Sequence, residues 1–189
     1  MTAGFGTTAE RLADETARLE WLRADLAPDM QAAIDGYLTE PRVRLGAIAE
    51  MLGVRVLLST LSRGTSGQIG DDNGGFVIRV NRHESRPRQR FVLAHMLAHY
   101  MLHRDMILAD GGWSENVLLR SGRRPESVEY EANRLAFSLV VPPAQLADVA
   151  AKFGGIDAPD ATENIAHRFG VPKTIIEILK RGAARDGSQ

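Results

Sequence analysis

The chain has 189 residues, enough for one substantial core, with 44% hydrophobic and 25% charged residues, the balance of an ordinary globular protein. Its formal net charge of −1 excludes a bulk field drawing it to nucleic acid or anionic lipid. With no cysteine, disulfides, thiolate metal sites and cysteine nucleophiles are excluded together, so any metal site must use His and carboxylates.

No basic segment followed by an apolar core opens the chain, and no apolar run approaches a membrane span, so a cytoplasmic protein with no membrane partner is expected. Residues 8–26 read as a helix, with Leu12, Leu19, Trp21 and Leu22 as its apolar stripe. Pro28 opens a second helix that Pro41 closes. Residues 43–52 form a third, with Gly53 placed to end it. A strand follows over Val54–Leu58, and a short one is expected over 66–70. Asp71-Asp72-Asn73-Gly74-Gly75 is a turn, after which Phe76–Val80 is a strand. These strands predict a small antiparallel sheet leading directly into the next helix.

That helix is Arg90–His103, a stretch without Gly or Pro. His95 and His99 are four residues apart, which puts both imidazoles on one face. The spacing is the first half of a zinc site on a helix, and such a site takes a third protein ligand, often a carboxylate from another helix, with the fourth position left to water. The segment Arg104–Arg124 reads as one long irregular stretch carrying Arg120, Arg123 and Arg124. Residues 126–141 return to a helix stopped by Pro142-Pro143. Glu129 on this helix is the first candidate for the third ligand, Glu131 the second and Glu126 the third. Asn133, one turn after Glu129, is placed to orient a ligand. His103, one turn beyond His99, reads as a structural histidine.

Residues 144–153 form a short helix and 161–182 a pair of helices. Ala166 permits a close helix approach and Gly170 makes the turn, as in helix-turn-helix units. Lys173, Thr174, Lys180 and Arg181 are the residues that the second helix could offer to nucleic acid or to a partner. Near-neutral charge makes DNA the less favoured partner.

Three motifs together resemble the ImmA/IrrE family of zinc metallopeptidases: the strand Phe76–Asn81, the run Arg90–His103, and Glu129-Tyr-Glu-Ala-Asn-Arg-Leu-Ala-Phe-Ser-Leu-Val-Val-Pro142. The likeness spans roughly residues 43–180. It implies an α+β, zincin-like helical domain over 43–153, preceded by a helical segment (1–42) and followed by the helix-turn-helix-like pair (160–183). It implies Zn²⁺ as the ion and His95, His99 and Glu129 as its ligands. It also implies a transcriptional role, since members of the family cleave repressors, typically helix-turn-helix proteins. The family pattern is His-Glu-x-x-His, in which Glu is the general base; here Met96 holds that position. Met96 can neither accept nor return a proton, and general-base catalysis supplies about 10²–10⁴ in rate. The resemblance therefore implies a degenerate member, a pseudopeptidase that binds a helix-turn-helix repressor or similar protein, in which the metal site is zinc-bearing or empty. An active zinc endopeptidase and a DNA-binding regulator using the C-terminal pair are the alternatives.

Overall fold

The computed structural model describes residues 26–115 and 125–185. The helix expected over 8–26 falls outside them except for its last residue, and so do Arg120, Arg123 and Arg124. In chain order the described elements are α1 (Pro28–Asp35), α2 (Leu45–Met51), β1 (Arg55–Ser59), β2 (Gly67–Asp71), β3 (Phe76–Asn81), α3 (Arg86–Ala109), β4 (Trp113–Glu115), α4 (Glu126–Val140), α5 (Pro143–Ala151), α6 (Ala161–Phe169) and α7 (Lys173–Arg185). This is the expected α+β class. No helix among the described residues is long and apolar enough to cross a membrane.

The four strands form one sheet in the order β1-β3-β2-β4. β2 and β3 make a hairpin whose turn uses positive φ at Asn73 and Gly74, where Asp71 Oδ2 accepts the Gly74 N–H at 3.2 Å. β3 is central, and Phe76, Val77, Ile78 and Val80 are all buried. The sheet is mixed rather than wholly antiparallel as expected. β2 is antiparallel to β3 and β4, but β1 pairs parallel with β3. The chain reverses twice between β1 and β3, and β2 already occupies one edge of β3. β1 therefore lies along the other edge, running the same way.

α3 crosses this sheet. Ser85 is extended, Pro87 sits in the first turn, and the preset φ of proline suits that place. The helix can lie close to β2 because residue 67 is glycine: a Cβ there would stand 2.7 Å from Val92 Cγ1 and 3.1 Å from Met96 Cε. On its other side α3 packs along α4, the largest helix–helix interface among the described residues. Leu97 and Ala98 of α3 and Ala132, Leu135, Ala136 and Leu139 of α4 are all buried, and the Phe91 and Phe137 rings lie 5.4 Å apart between the two helices.

The stretch after His103 departs from the sequence expectation. His103 takes non-helical angles (φ −130°, ψ 25°), and the helix resumes beyond this kink to Ala109. The buried side chain of Ile107 anchors this last part. Gly111 and Gly112 then turn the chain with positive φ, and Trp113–Glu115 adds β4 to the sheet edge instead of continuing as a loop. At the C-terminus, α6 ends at Gly170 (φ 69°), and Ile165, Ala166, Phe169, Ile175 and Ile176 are buried around the turn between α6 and α7.

Candidate metal centre

His95 and His99 project from α3 into a closed space between the sheet edge and α4. Both are essentially inaccessible. Their rings meet edge-on with centroids 4.5 Å apart, and their Nε2 atoms are 3.0 Å from each other. The helical spacing accounts for this: side chains one turn apart overlie each other, and the same χ1 preference sends both the same way.

Two carboxylates close on this pair. Glu129, from the first turn of α4, places Oε2 3.6 Å from His95 Nε2 and Oε1 3.8 Å from His99 Nε2. Glu115, from β4, comes closer, with Oε2 2.8 Å from His95 Nε2 and Oε1 3.1 Å from His99 Nε2. Its delivery is set by strand pairing. Glu115 is in register with Gly67, its carbonyl accepts the Ser66 N–H at 2.7 Å, and the alternation of β4 turns Trp113 and Glu115 inward and Ser114 outward. Glu115 does not stand out in the sequence, because a three-residue strand carries too little periodicity to read. The one available signal is Trp-Ser-Glu directly after a Gly-Gly turn.

Behind His99 runs a second chain of contacts. His99 Nδ1 is 3.2 Å from His103 Nδ1, and His103 Nε2 is 3.1 Å from Glu131 Oε2. These distances assign the tautomers of neutral rings. The Glu131 carboxylate only accepts, so His103 Nε2 carries the proton and His103 Nδ1 is the acceptor. His99 Nδ1–H then donates to it, which leaves a lone pair on His99 Nε2 facing the cluster. Trp113 fixes both rings from the side, with centroids 5.1 Å from His99 and 6.3 Å from His103. Its own N–H donates to Asp110 at 2.7 Å.

The electrostatics follow from this geometry. Burial disfavours a charged His95, but the carboxylates of Glu115, to which its ring N–H donates, and of Glu129 outweigh it and raise its pKa. Burial, helped by the neighbouring His95, holds His99 below its ordinary value. Glu115 is itself buried, which opposes its charge, yet the His95 and His99 imidazoles against it hold its carboxyl well below the usual carboxylate range. The two imidazoles are thus pushed in opposite directions, His95 towards its charged form and His99 towards its neutral one.

The donor set fits a divalent cation. His95, His99, Glu115 and Glu129 each offer a ligand atom, and these atoms all lie within 4.8 Å of one another. Tetrahedral zinc with bonds of 2.0–2.2 Å has ligand-to-ligand edges of about 3.3–3.6 Å. The separations here, from 2.8 to 3.8 Å, bracket that range. Lone pairs from His99 and two carboxylates converge on one point, an arrangement that repels itself unless a cation or proton sits there.

Of the residues singled out from sequence, His95, His99 and Glu129 come together. Glu131 reaches His103 instead of the cluster, and Asn133 is half-buried one turn beyond Glu129 and hydrogen-bonds no residue of it. Met96 is fully buried and points at Gly67, the strand neighbour of Glu115. Lys173, Thr174, Lys180 and Arg181 lie on α7, remote in the fold from the histidines. Lys180 pairs there with Asp157 at 3.3 Å and also donates to Thr162 at 3.4 Å.

Residues 49–178 match the family model described as the IrrE N-terminal-like domain. No curated protein matches the chain.

Proposed function

The chain belongs to the IrrE N-terminal-like domain family, and on that footing we propose that it is a non-cutting member, a zinc-holding pseudopeptidase that regulates transcription in the cytoplasm by binding a helix-turn-helix repressor or a similar regulatory protein. The observation that carries this reading is Met96. Its thioether is buried and lies at Gly67, it occupies the position following the first histidine, and it has no atom that can take a proton at neutral pH. Zinc, held by His95, His99 and Glu129, would supply Lewis acidity. Hydrolysis also needs a base positioned beside the attacked bond, and its loss costs about 10²–10⁴ in rate. The protein's own residues hold and orient the ion: His99 is fixed through His103 and Glu131, and Trp113 keeps water from its ring.

Zinc is the ion of this reading because two imidazoles with carboxylates are donors it takes, a set it shares with other first-row divalent ions. With cutting lost, partner binding is the activity left to the scaffold in this reading. The alternative, an active endopeptidase, needs Glu115 or Glu129 to serve as base, and both carboxylates are turned to the imidazole nitrogens. The third reading, direct DNA binding through α6 and α7, is weakened by charge. The face carrying Lys173, Lys180 and Arg181 also carries Asp160, Glu163 and Glu177.

The test is binding of the purified chain to helix-turn-helix regulators of its own organism, measured by calorimetry. Saturable binding with the regulator recovered at full length is expected, and no binding to such a regulator removes the partner half of the reading.

A further inference from the structure

We propose that Glu115 is a fourth protein ligand that closes the metal site, so that the ion is held by His95, His99, Glu115 and Glu129 with no position left for a substrate. The inference rests on metal binding by this cluster, as set out above, and adds what kind of site it is.

Three observations carry it. The first is distance. Both Glu115 oxygens lie nearer the imidazole Nε2 atoms than those of Glu129 do, at 2.8 and 3.1 Å against 3.6 and 3.8 Å. A carboxylate serving as an outer base stands off the ligating nitrogens, whereas this one shares their focal point. The second is charge. Two neutral imidazoles and one carboxylate would leave a divalent ion with a net positive charge in a site where the histidines and Glu115 are all buried, and a second carboxylate brings the total to zero. Uncompensated buried charge is costly, so the donor set is balanced with Glu115 and unbalanced without it. The third is rigidity. Glu115 sits on a strand held in register by β2, beside Trp113, which is itself pinned by Asp110, and its side chain is only 5% exposed. Four protein ligands on fixed elements describe a closed, structural site, whereas catalytic zinc keeps a position open.

The test uses the full chain loaded with Co²⁺, whose visible spectrum reports coordination, titrated with azide as a small anionic ligand. The spectrum of the wild type is expected to stay unchanged in excess azide. Glu115→Ala is expected to bind azide, with a change in band position and intensity. Competition against a chromophoric chelator is expected to show zinc affinity falling more than about 100-fold in Glu115→Gln, beyond the loss typical of outer-shell changes, with the circular dichroism of the wild type preserved. A wild-type protein that binds Co²⁺ and takes up azide as Glu115→Ala does would overturn the closed site while leaving metal binding intact. A wild type that takes up neither Co²⁺ nor zinc would overturn both.

Discussion

His99 Nδ1 and His103 Nδ1 stand 3.2 Å apart, on the side of the His99 ring away from Glu115. His103 is therefore the group that sets which nitrogen of His99 faces the metal. His103→Phe keeps a ring against Trp113 but removes the acceptor. Zinc affinity is expected to fall about 10–100-fold, with Glu131→Gln causing a smaller loss in the same direction. Chelator competition measures both, and unchanged affinity in His103→Phe would show that packing alone orients His99.

Proton and metal compete at His95. Its pKa is raised above the ordinary 6.5, so the stability from its charged form is fully present below pH 6.5 and is lost as pH rises through the raised value. The lowered pKa of Glu115 acts oppositely, giving stability present above the ordinary 4.5 and lost as pH falls through the lowered value. Metal needs the neutral imidazole, so a proton competes with the ion at His95, whose pKa is raised, more than at His99, whose pKa is lowered. The gain in Tm on adding zinc is therefore expected to grow as pH rises from about 6 to about 8. Melting curves with zinc and with chelator check this, and a gain independent of pH would contradict it.

Gly67 sets the distance between α3 and the sheet. In Gly67→Ala the new Cβ meets Val92 Cγ1 at 2.7 Å, and valine has little rotamer freedom in a helix. The expected cost is about 1–3 kcal/mol. Because Gly67 pairs with Glu115, zinc affinity should fall as well. Val92→Ala should relieve part of the cost, so the double variant should be less destabilised than the sum of the two changes. Denaturant melts of the three variants give the comparison.

For the C-terminal pair the expected outcome is an absence of selective DNA binding. Lys180 is occupied by Asp157 and Thr162, and acidic residues share the face. Gel shifts at physiological salt should show no sequence-selective complex. Selective affinity of about 10⁻⁸ M or tighter would promote the DNA-binding reading.

Much of the frame was legible because it is local. The strand run 76–81, the turn at 71–75 and the helices around Pro28, Pro87 and Pro142 follow from short-range signals. His95 and His99 are visible from one helical turn, and Glu129 from the periodicity of its own helix. What was not legible depends on pairing at a distance. Glu115 matters because β4 joins β2, and three residues after a Gly-Gly turn carry too little periodicity to announce a strand. The direction of β1 depends on which edge of β3 the hairpin leaves free. The role of His103 depends on a kink in α3 and on a carboxylate 28 residues away, so helical spacing alone leaves it a structural histidine.

Restoring a base at position 96 is expected to be insufficient by itself. Met96→Glu adds a third carboxylate beside Glu115 and Glu129, and in the metal-free protein this should cost on the order of 3 kcal/mol. It also leaves the site closed by Glu115. Met96→Glu combined with Glu115→Ala returns the number of carboxylates to two and frees a position, so activity should emerge in the double variant first, with a gain of about 10²–10⁴ over wild type.

The most direct measurement is intact-mass spectrometry of a helix-turn-helix regulator that this chain binds, incubated with zinc-loaded wild type and with the Met96→Glu, Glu115→Ala double variant. The regulator is predicted to stay full length with wild type while bound to it, and to be cut by the double variant in a reaction that chelator stops. Cutting by wild type at a comparable rate, also stopped by chelator, would contradict the account and assign the base to a residue other than the one at position 96.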